Sequence, residues 1–274
     1  MSLNTIKIGI IGLGTMSGAI LEGLLKAGVL PENVIAIDSS EDQAREREAK
    51  FGVSCTTLEK GQASLAQVDV LLLGLKPFIM PLVLADLAKI SLKEGVLVLS
   101  IAAGITLETL GKSLPNTAIV RVMPNTPALV GQGFTAMAPN ALVGDAQKTL
   151  VASVFEAVGK AVWLAEGQLD AFTGLFGSGP AYVFYIMEAL VDAGLAEGLP
   201  PSMVEEGVLQ LVKGAALLLE TRATTASQLK AEVVTPNGTT ARGLEVLRSA
   251  NVAEAFVDAV HAATRRAEEL SKNV

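Results

Sequence analysis

The 274-residue chain contains one histidine, His261, and one cysteine, Cys55. A lone cysteine excludes an intrachain disulfide and any cysteine-built metal site. A lone histidine removes the commonest general acid and metal ligand from almost the whole sequence. Aromatic residues make up 4% and charged residues 18%, the latter below the roughly 25% of an average domain. Acids outnumber bases 28 to 21, a net charge of −7, and Lys and Arg form no run. That balance argues against nucleic acid and anionic membrane as partners. The uncharged stretches Ile8–Leu21 and Phe172–Met187 are short and interrupted by Gly or Pro. Neither supplies the ~20 apolar residues of a spanning helix, so no transmembrane segment is expected. The start of the chain lacks a basic region and a small-residue cleavage site, so a cytoplasmic location is expected.

What the chain does have is aliphatic bulk. Half its residues are hydrophobic, with 26 glycines among them, and the mean hydropathy is +0.48. Such a chain has ample apolar surface to bury and cannot be disordered. Ile6–Ile11, Asn33–Asp38, Val68–Leu73, Val96–Ile101, Ile119–Val122 and Phe134–Met137 read as strands, with helices at Thr15–Ala27 and Glu41–Lys50 between them. Continuous apolar runs imply strands covered on both faces, hence a mainly parallel, doubly wound α/β sheet of the Rossmann type. This domain spans residues 1–165. Residues 166–274 read as helices only. Gly177-Ser178-Gly179-Pro180 is placed to open one helix, and Ser202 with Glu205 has capping-box spacing at the start of another. Val204, Val208, Leu211, Ala215 and Leu218 form one apolar stripe; Val252, Phe256, Val260, Ala263, Ala267 and Leu270 form a second. A helical domain of this size cannot hide both stripes alone, so a dimer interface is expected.

The string Ile8-Gly9-Ile10-Ile11-Gly12-Leu13-Gly14-Thr15-Met16-Ser17 joins the first strand to the first helix. Gly12 and Gly14 suit the tight turn and close backbone approach that a pyrophosphate requires at a helix N-terminus. Ser17 replaces the third small residue of that fingerprint. Asp38 ends the second strand, where a carboxylate accepts hydrogen bonds from ribose hydroxyls and repels a 2′-phosphate. Ser39 and Ser40 follow it, with no Arg directly after. A dinucleotide cofactor is implied, with NADH favoured over NADPH.

Reducing a ketone calls for a general acid, and this sequence offers little to act as one. His261 lies in the last helix and reads as an ordinary surface or interface residue. A protonated imine needs less help, because its carbon is already electrophilic and hydride addition leaves a neutral amine. Three loops could position such a substrate: Leu75-Lys76-Pro77, Arg121–Ala128, and Thr235-Pro236-Asn237-Gly238-Thr239-Thr240. The last precedes a helix, whose free N–H groups and positive dipole end suit a small carboxylate; Thr239 and Thr240 could equally be simple caps.

These loops, with Ser100–Gly104, Gly177–Tyr182, Glu188-Ala189-Leu190 and Gly243-Leu244, resemble those of pyrroline-5-carboxylate reductases from end to end. The resemblance implies reduction of L-1-pyrroline-5-carboxylate to L-proline, the last step of proline biosynthesis, with NADPH or NADH. It implies a homodimer joined through the helical domain, with dimers sometimes associating further. By the same resemblance the cofactor touches Gly12, Leu13, Gly14, Thr15, Met16 and Ser17. It also touches Gly74, Leu75, Lys76 and Pro77, then Ile101, Ala102, Ala103 and Asn125, with Asp38 and Ser39 at the ribose. The substrate meets Glu166, Thr235, Asn237, Gly238, Thr239 and Thr240, and Thr240 hydrogen-bonds the ring nitrogen as the catalytic residue. No metal is implied. Several positions depart from the family's usual pattern. Asn237 stands where Gly is usual, Phe176 where Ser often precedes Gly-Ser-Gly-Pro, and Asp38-Ser39 where many relatives carry Asn-Arg. The alternatives are an imine reductase of different substrate range and a non-catalytic NAD-binding protein that senses redox state. A β-hydroxyacid dehydrogenase fits poorly, because the first Lys after Gly179 is Lys213.

Overall fold

The computed structural model describes residues 3–272. The chain divides into two compact units. One comprises the chain through Ser178 together with the segment from Ala262 onward; the other is Gly179–His261.

The first unit is built, in chain order, from β1 (Ile8–Ile11), α1 (Thr15–Lys26), β2 (Val34–Asp38), α2 (Glu41–Phe51), β3 (Ser54–Thr57), α3 (Leu58–Leu65) and β4 (Val70–Leu73). There follow α4 (Met80–Leu87), β5 (Leu97–Ser100), α5 (Leu107–Ser113), β6 (Ala118–Met123), β7 (Gly133–Pro139), α6 (Asp145–Glu156), β8 (Gly159–Trp163) and α7 (Leu169–Phe172). The eight strands pair in the order β3-β2-β1-β4-β5-β6-β7-β8. Every neighbouring pair is parallel except β6 with β7. The connection between those two, residues 124–132, is shorter than the dozen or more residues a parallel crossover needs, so the direction reverses there.

Period-two alternation along each strand divides the core into two layers. Ile8, Ile10, Leu72 and Leu99 join Ile20, Leu24, Val151 and Phe155 from α1 and α6. Ile11, Leu71, Leu73 and Val98 join Leu65, Leu84 and Leu110 from α3, α4 and α5. This burial on both faces explains why β1, β4 and β5 read as continuous apolar runs. The two strands not read from sequence, β3 and β8, are the sheet's edges. Each is only partly covered, so the sequence Ser-Cys-Thr-Thr lacked the apolar signature. Burial, aided by the negative charge of Asp38, pushes the Cys55 thiol on β3 up to about 11. It is therefore protonated at neutral pH and inert as a nucleophile.

The second unit holds α8 (Gly179–Ala196), α9 (Pro201–Thr221), α10 (Ala226–Val233), α11 (Thr239–Ser249) and the first half of α12 (Val252–Lys272). The capping box expected at Ser202 does not form. The N-cap is Pro200 and Pro201 takes the first helical position, where its fixed φ is already helical and its missing N–H costs nothing. Among the described residues of this unit, Val204 and Val208 alone are buried hydrophobics, while Phe184, Tyr185, Leu209, Leu211 and Val246 are more than half exposed. A helical unit with so small a core is half of something larger.

The Gly-Ser-Gly-Pro string stands, as expected, at the start of α8, with Pro180 in its first turn. It lies inside a helical stretch, Glu166–Ala196, of 31 residues with a mean hydropathy of 1.2 in its most apolar window. By length and composition alone this stretch is long and apolar enough to cross a membrane. A π-helical turn, Thr173–Gly177, joins α7 to α8. Pro180 has no N–H for the Phe176 carbonyl four residues back. The side-chain amide of Asn125 donates to that oxygen instead, at 3.1 Å.

Candidate active site

Strand register gathers the loops of the first unit along one edge of the sheet. Ile11 lies opposite both Ile37 and Leu73, and Leu73 lies opposite Ser100. The next residues, Gly12, Asp38, Gly74 and Ile101, therefore leave the sheet side by side. The chain order reverses between β1 and β4, the crevice where open α/β sheets bind ligands.

Gly12 has φ +87, and a Cβ there would lie 2.7 Å from the Gly74 carbonyl oxygen. A Cβ on Gly74 would in turn collide with Ser17 Oγ. The two backbones touch because neither residue has a side chain. Gly14, by contrast, has open space around it. It caps α1 in extended conformation with no side-chain hydrogen bond, so the first N–H groups of the helix are left for an anion. These features fit a dinucleotide diphosphate. Thr15 is exposed and Met16 half-buried, whereas the Leu13 and Ser17 side chains are buried; those two face the fold and offer a ligand only backbone.

At the end of β2, Asp38 Oδ1 accepts the Ser39 N–H at 2.7 Å. The fold also supplies a cation that the sequence reading missed: Arg47 Nε, from α2, stands 3.7 Å from Asp38 Oδ2. No Arg follows Asp38 directly, but Arg47 stands on α2, the helix that follows.

Gly74, Leu75 and Pro77 are half-buried, and Lys76 is exposed at the start of the 3-10 turn Pro77–Ile79. Ile101 and Ala103 are half-buried and Ala102 is buried. Asn125 is 8% exposed. Its Oδ1 accepts the Phe134 N–H at 2.8 Å while its amide holds Phe176, so much of its hydrogen-bonding capacity braces the fold. Phe176 also has a structural account. Its ring packs 5.0 Å from Phe134 and 4.8 Å from Phe172, closing a three-ring cluster that Ser could not make.

Glu166, half-buried, joins a polar network around the buried Arg121. Its Oε1 accepts the Leu107 N–H at 2.7 Å, at the N-terminus of α5, and lies 3.4 Å from Arg121 Nη1. Arg121, 3% exposed on β6, also reaches Asp170 at 3.2 Å and Ser271 at 3.4 Å. Sequence reasoning placed Arg121 at the end of the strand Ile119–Val122 and the start of the next loop but gave it no partner; a charged residue in an apolar strand was the available clue.

The Thr235–Thr240 turn lies in the second unit. Asn237 adopts φ +59, a left-handed conformation that Asn tolerates better than other non-glycine residues. Gly238 donates to the Thr235 carbonyl at 3.0 Å and is the extended N-cap of α11, without a side-chain cap. Thr239 and Thr240 are therefore the first two helical residues, not caps. Thr239 is exposed and Thr240 half-buried. His261 is exposed on α12. Among the described residues no cluster of three His, Cys, Asp or Glu could hold a metal ion.

A doubly wound sheet whose switch point carries this glycine turn, with an acid ending β2, has the form of the dinucleotide-binding oxidoreductases. Residues 166–270 match the family described as pyrroline-5-carboxylate reductase dimerisation, and residues 7–104 match NADP oxidoreductase, coenzyme F420-dependent. A pyrroline-5-carboxylate reductase of Synechocystis is 39% identical over 98% of this chain and 99% of its own; that of Escherichia coli is 36% identical over 97% and 99%. Among solved structures, the Coxiella burnetii reductase superposes with a TM-score of 0.90 at 38% identity, covering 98% and 99% of the two chains. The Plasmodium falciparum enzyme with NADP bound gives 0.86 at 29%, over the same shares. The chain belongs to the pyrroline-5-carboxylate reductase family. It is an NAD(P)H-dependent oxidoreductase, and its helical region is that family's dimerisation region, so it assembles as a homodimer.

Proposed function

We propose that the chain reduces L-1-pyrroline-5-carboxylate to L-proline and that its residues act chiefly by positioning. The observation that carries this reading is the turn before α11. Its backbone is set by Asn237 and Gly238, so that uncapped N–H groups and two threonine hydroxyls stand at a positive helix end. A small carboxylate suits that end. Thr235, Asn237, Gly238 and Thr239 shape and supply it, Thr240 hydrogen-bonds the ring nitrogen, and Glu166 is assigned to the substrate by likeness. NAD(P)H supplies the hydride. Gly12, Leu13, Gly14, Thr15, Met16 and Ser17 hold the diphosphate, Asp38 and Ser39 the ribose. Gly74, Leu75, Lys76, Pro77, Ile101, Ala102, Ala103 and Asn125 complete the cofactor side. Cofactor work falls to residues 1–165, substrate binding and dimerisation to 166–274. The setting is cytoplasmic, and dimers associate further.

Following NADH oxidation at 340 nm with L-1-pyrroline-5-carboxylate as varied substrate tests the activity; no turnover beside tight NADH binding would replace it with a sensing role. In the same assay Thr240→Ala should lower kcat about 10- to 100-fold, the equivalent of one lost hydrogen bond of about 1–3 kcal/mol in a dry site. Cofactor affinity should hardly change. Unaltered kinetics would remove Thr240 from the reaction. Asp38 beside Ser39 further favours NADH, so its kcat/KM should exceed that of NADPH; the reverse order would sink that preference.

A further inference from the structure

We propose that Arg47 is the residue that admits a 2′-phosphate, and so sets how far NADPH can replace NADH in this chain. The inference rests on the dinucleotide reading above and adds a residue to it.

The ribose corner is not simply acidic. One oxygen of Asp38 is committed to the Ser39 N–H. The other faces Arg47 Nε at 3.7 Å, with both side chains largely sheltered, at 27% and 13% exposure. That separation is an ion pair without a hydrogen bond, and Arg47 Nε is a buried donor with no partner. The remaining link of Arg47, from Nη1 to Glu46, is 3.8 Å long. The guanidinium is thus held near the carboxylate by charge while its donors are under-used. Arg47 also lines the same hollow as Gly14 and Thr15 at the start of α1. It stands between the acid that would take ribose hydroxyls and the helix end that would take the diphosphate.

An isolated Asp38 would repel a phosphate carrying about −1.5 to −2 charges. Arg47 offsets part of the negative charge of Asp38 and Glu46, and a guanidinium is a planar fork suited to phosphate oxygens. A hydroxyl at the 2′ position leaves the pair intact and is taken by Asp38. A phosphate takes the donors of Arg47 that Asp38 leaves unused. Asp38 biases the corner toward NADH and Arg47 limits the bias.

Calorimetric titration of the full-length dimer with NADP⁺, NAD⁺ and 2′,5′-ADP tests this, alongside Arg47→Gln. Arg47→Gln should weaken NADP⁺ and 2′,5′-ADP by about tenfold or more, as expected for a lost charge-assisted contact, and NAD⁺ by less than about threefold. Loss of NADP⁺ and NAD⁺ affinity in parallel would overturn the proposal, because Arg47 would then serve the diphosphate or the fold. Unchanged affinity for all three ligands would overturn it too. Failure of the unmodified protein to bind any of them would overturn the dinucleotide reading beneath it. An unmodified protein that prefers NADP⁺ and loses that preference in Arg47→Gln would sustain the role of Arg47 while removing that of Asp38.

Discussion

Gly12→Ala should abolish dinucleotide binding and lower the melting temperature. At φ +87 an L-residue is strained by about 1–3 kcal/mol. The added methyl would also press on the Gly74 carbonyl oxygen at 2.7 Å, well inside contact distance. Relief by movement is blocked on both sides. Gly12 N–H is tied to Ile37 O at 2.9 Å and Gly74 N–H to Ile11 O at 2.8 Å, while Ser17 Oγ fills the space into which Gly74 would retreat. For a chain of this length, about 2–3 kcal/mol corresponds to a fall of roughly 5–10 °C. Differential scanning calorimetry with NADH titration measures both effects. Wild-type affinity in the variant would show that the turn does not carry the cofactor.

Leu211→Glu should convert the dimer into an inactive, partly unfolded monomer. Leu211 continues the α9 stripe begun by the buried Val204 and Val208, yet in the single chain it is 59% exposed. Burying a leucine contributes about 1.5–3 kcal/mol, and a two-fold interface counts it twice. An unpaired carboxylate enclosed in its place costs a further 3–5 kcal/mol, roughly. The second unit has almost no core of its own, so separation of the subunits should also cost helicity. Light scattering after gel filtration and circular dichroism at 222 nm read the two losses together. A variant of dimeric mass with full activity would place the interface elsewhere.

How legible these features were depended on how local their causes are. The core strands were readable because burial on both faces writes an unbroken aliphatic run into β1, β4 and β5. The edge strands β3 and β8 were not, since an edge is defined by what fails to cover it. Gly12 and Gly14 announced a turn because their constraint acts within a few residues. Arg47 and Arg121 could not be assigned partners, because their positions beside Asp38 and Glu166 depend on how the strands and helices pack. The helix start at Ser202 was misread because the neighbouring Pro201 takes the first helical position and decides the local geometry.

The bracket formed by Asn125 makes two distant positions one hereditary unit. Its amide answers the carbonyl of Phe176, which goes begging only because Pro180 cannot donate. Restore a donor at 180 and the amide loses its employment; remove the amide and the proline leaves an orphan. Lineages should therefore keep or exchange Asn125 and Pro180 together, a correlated pair fifty-five places apart whose cause is one missing hydrogen.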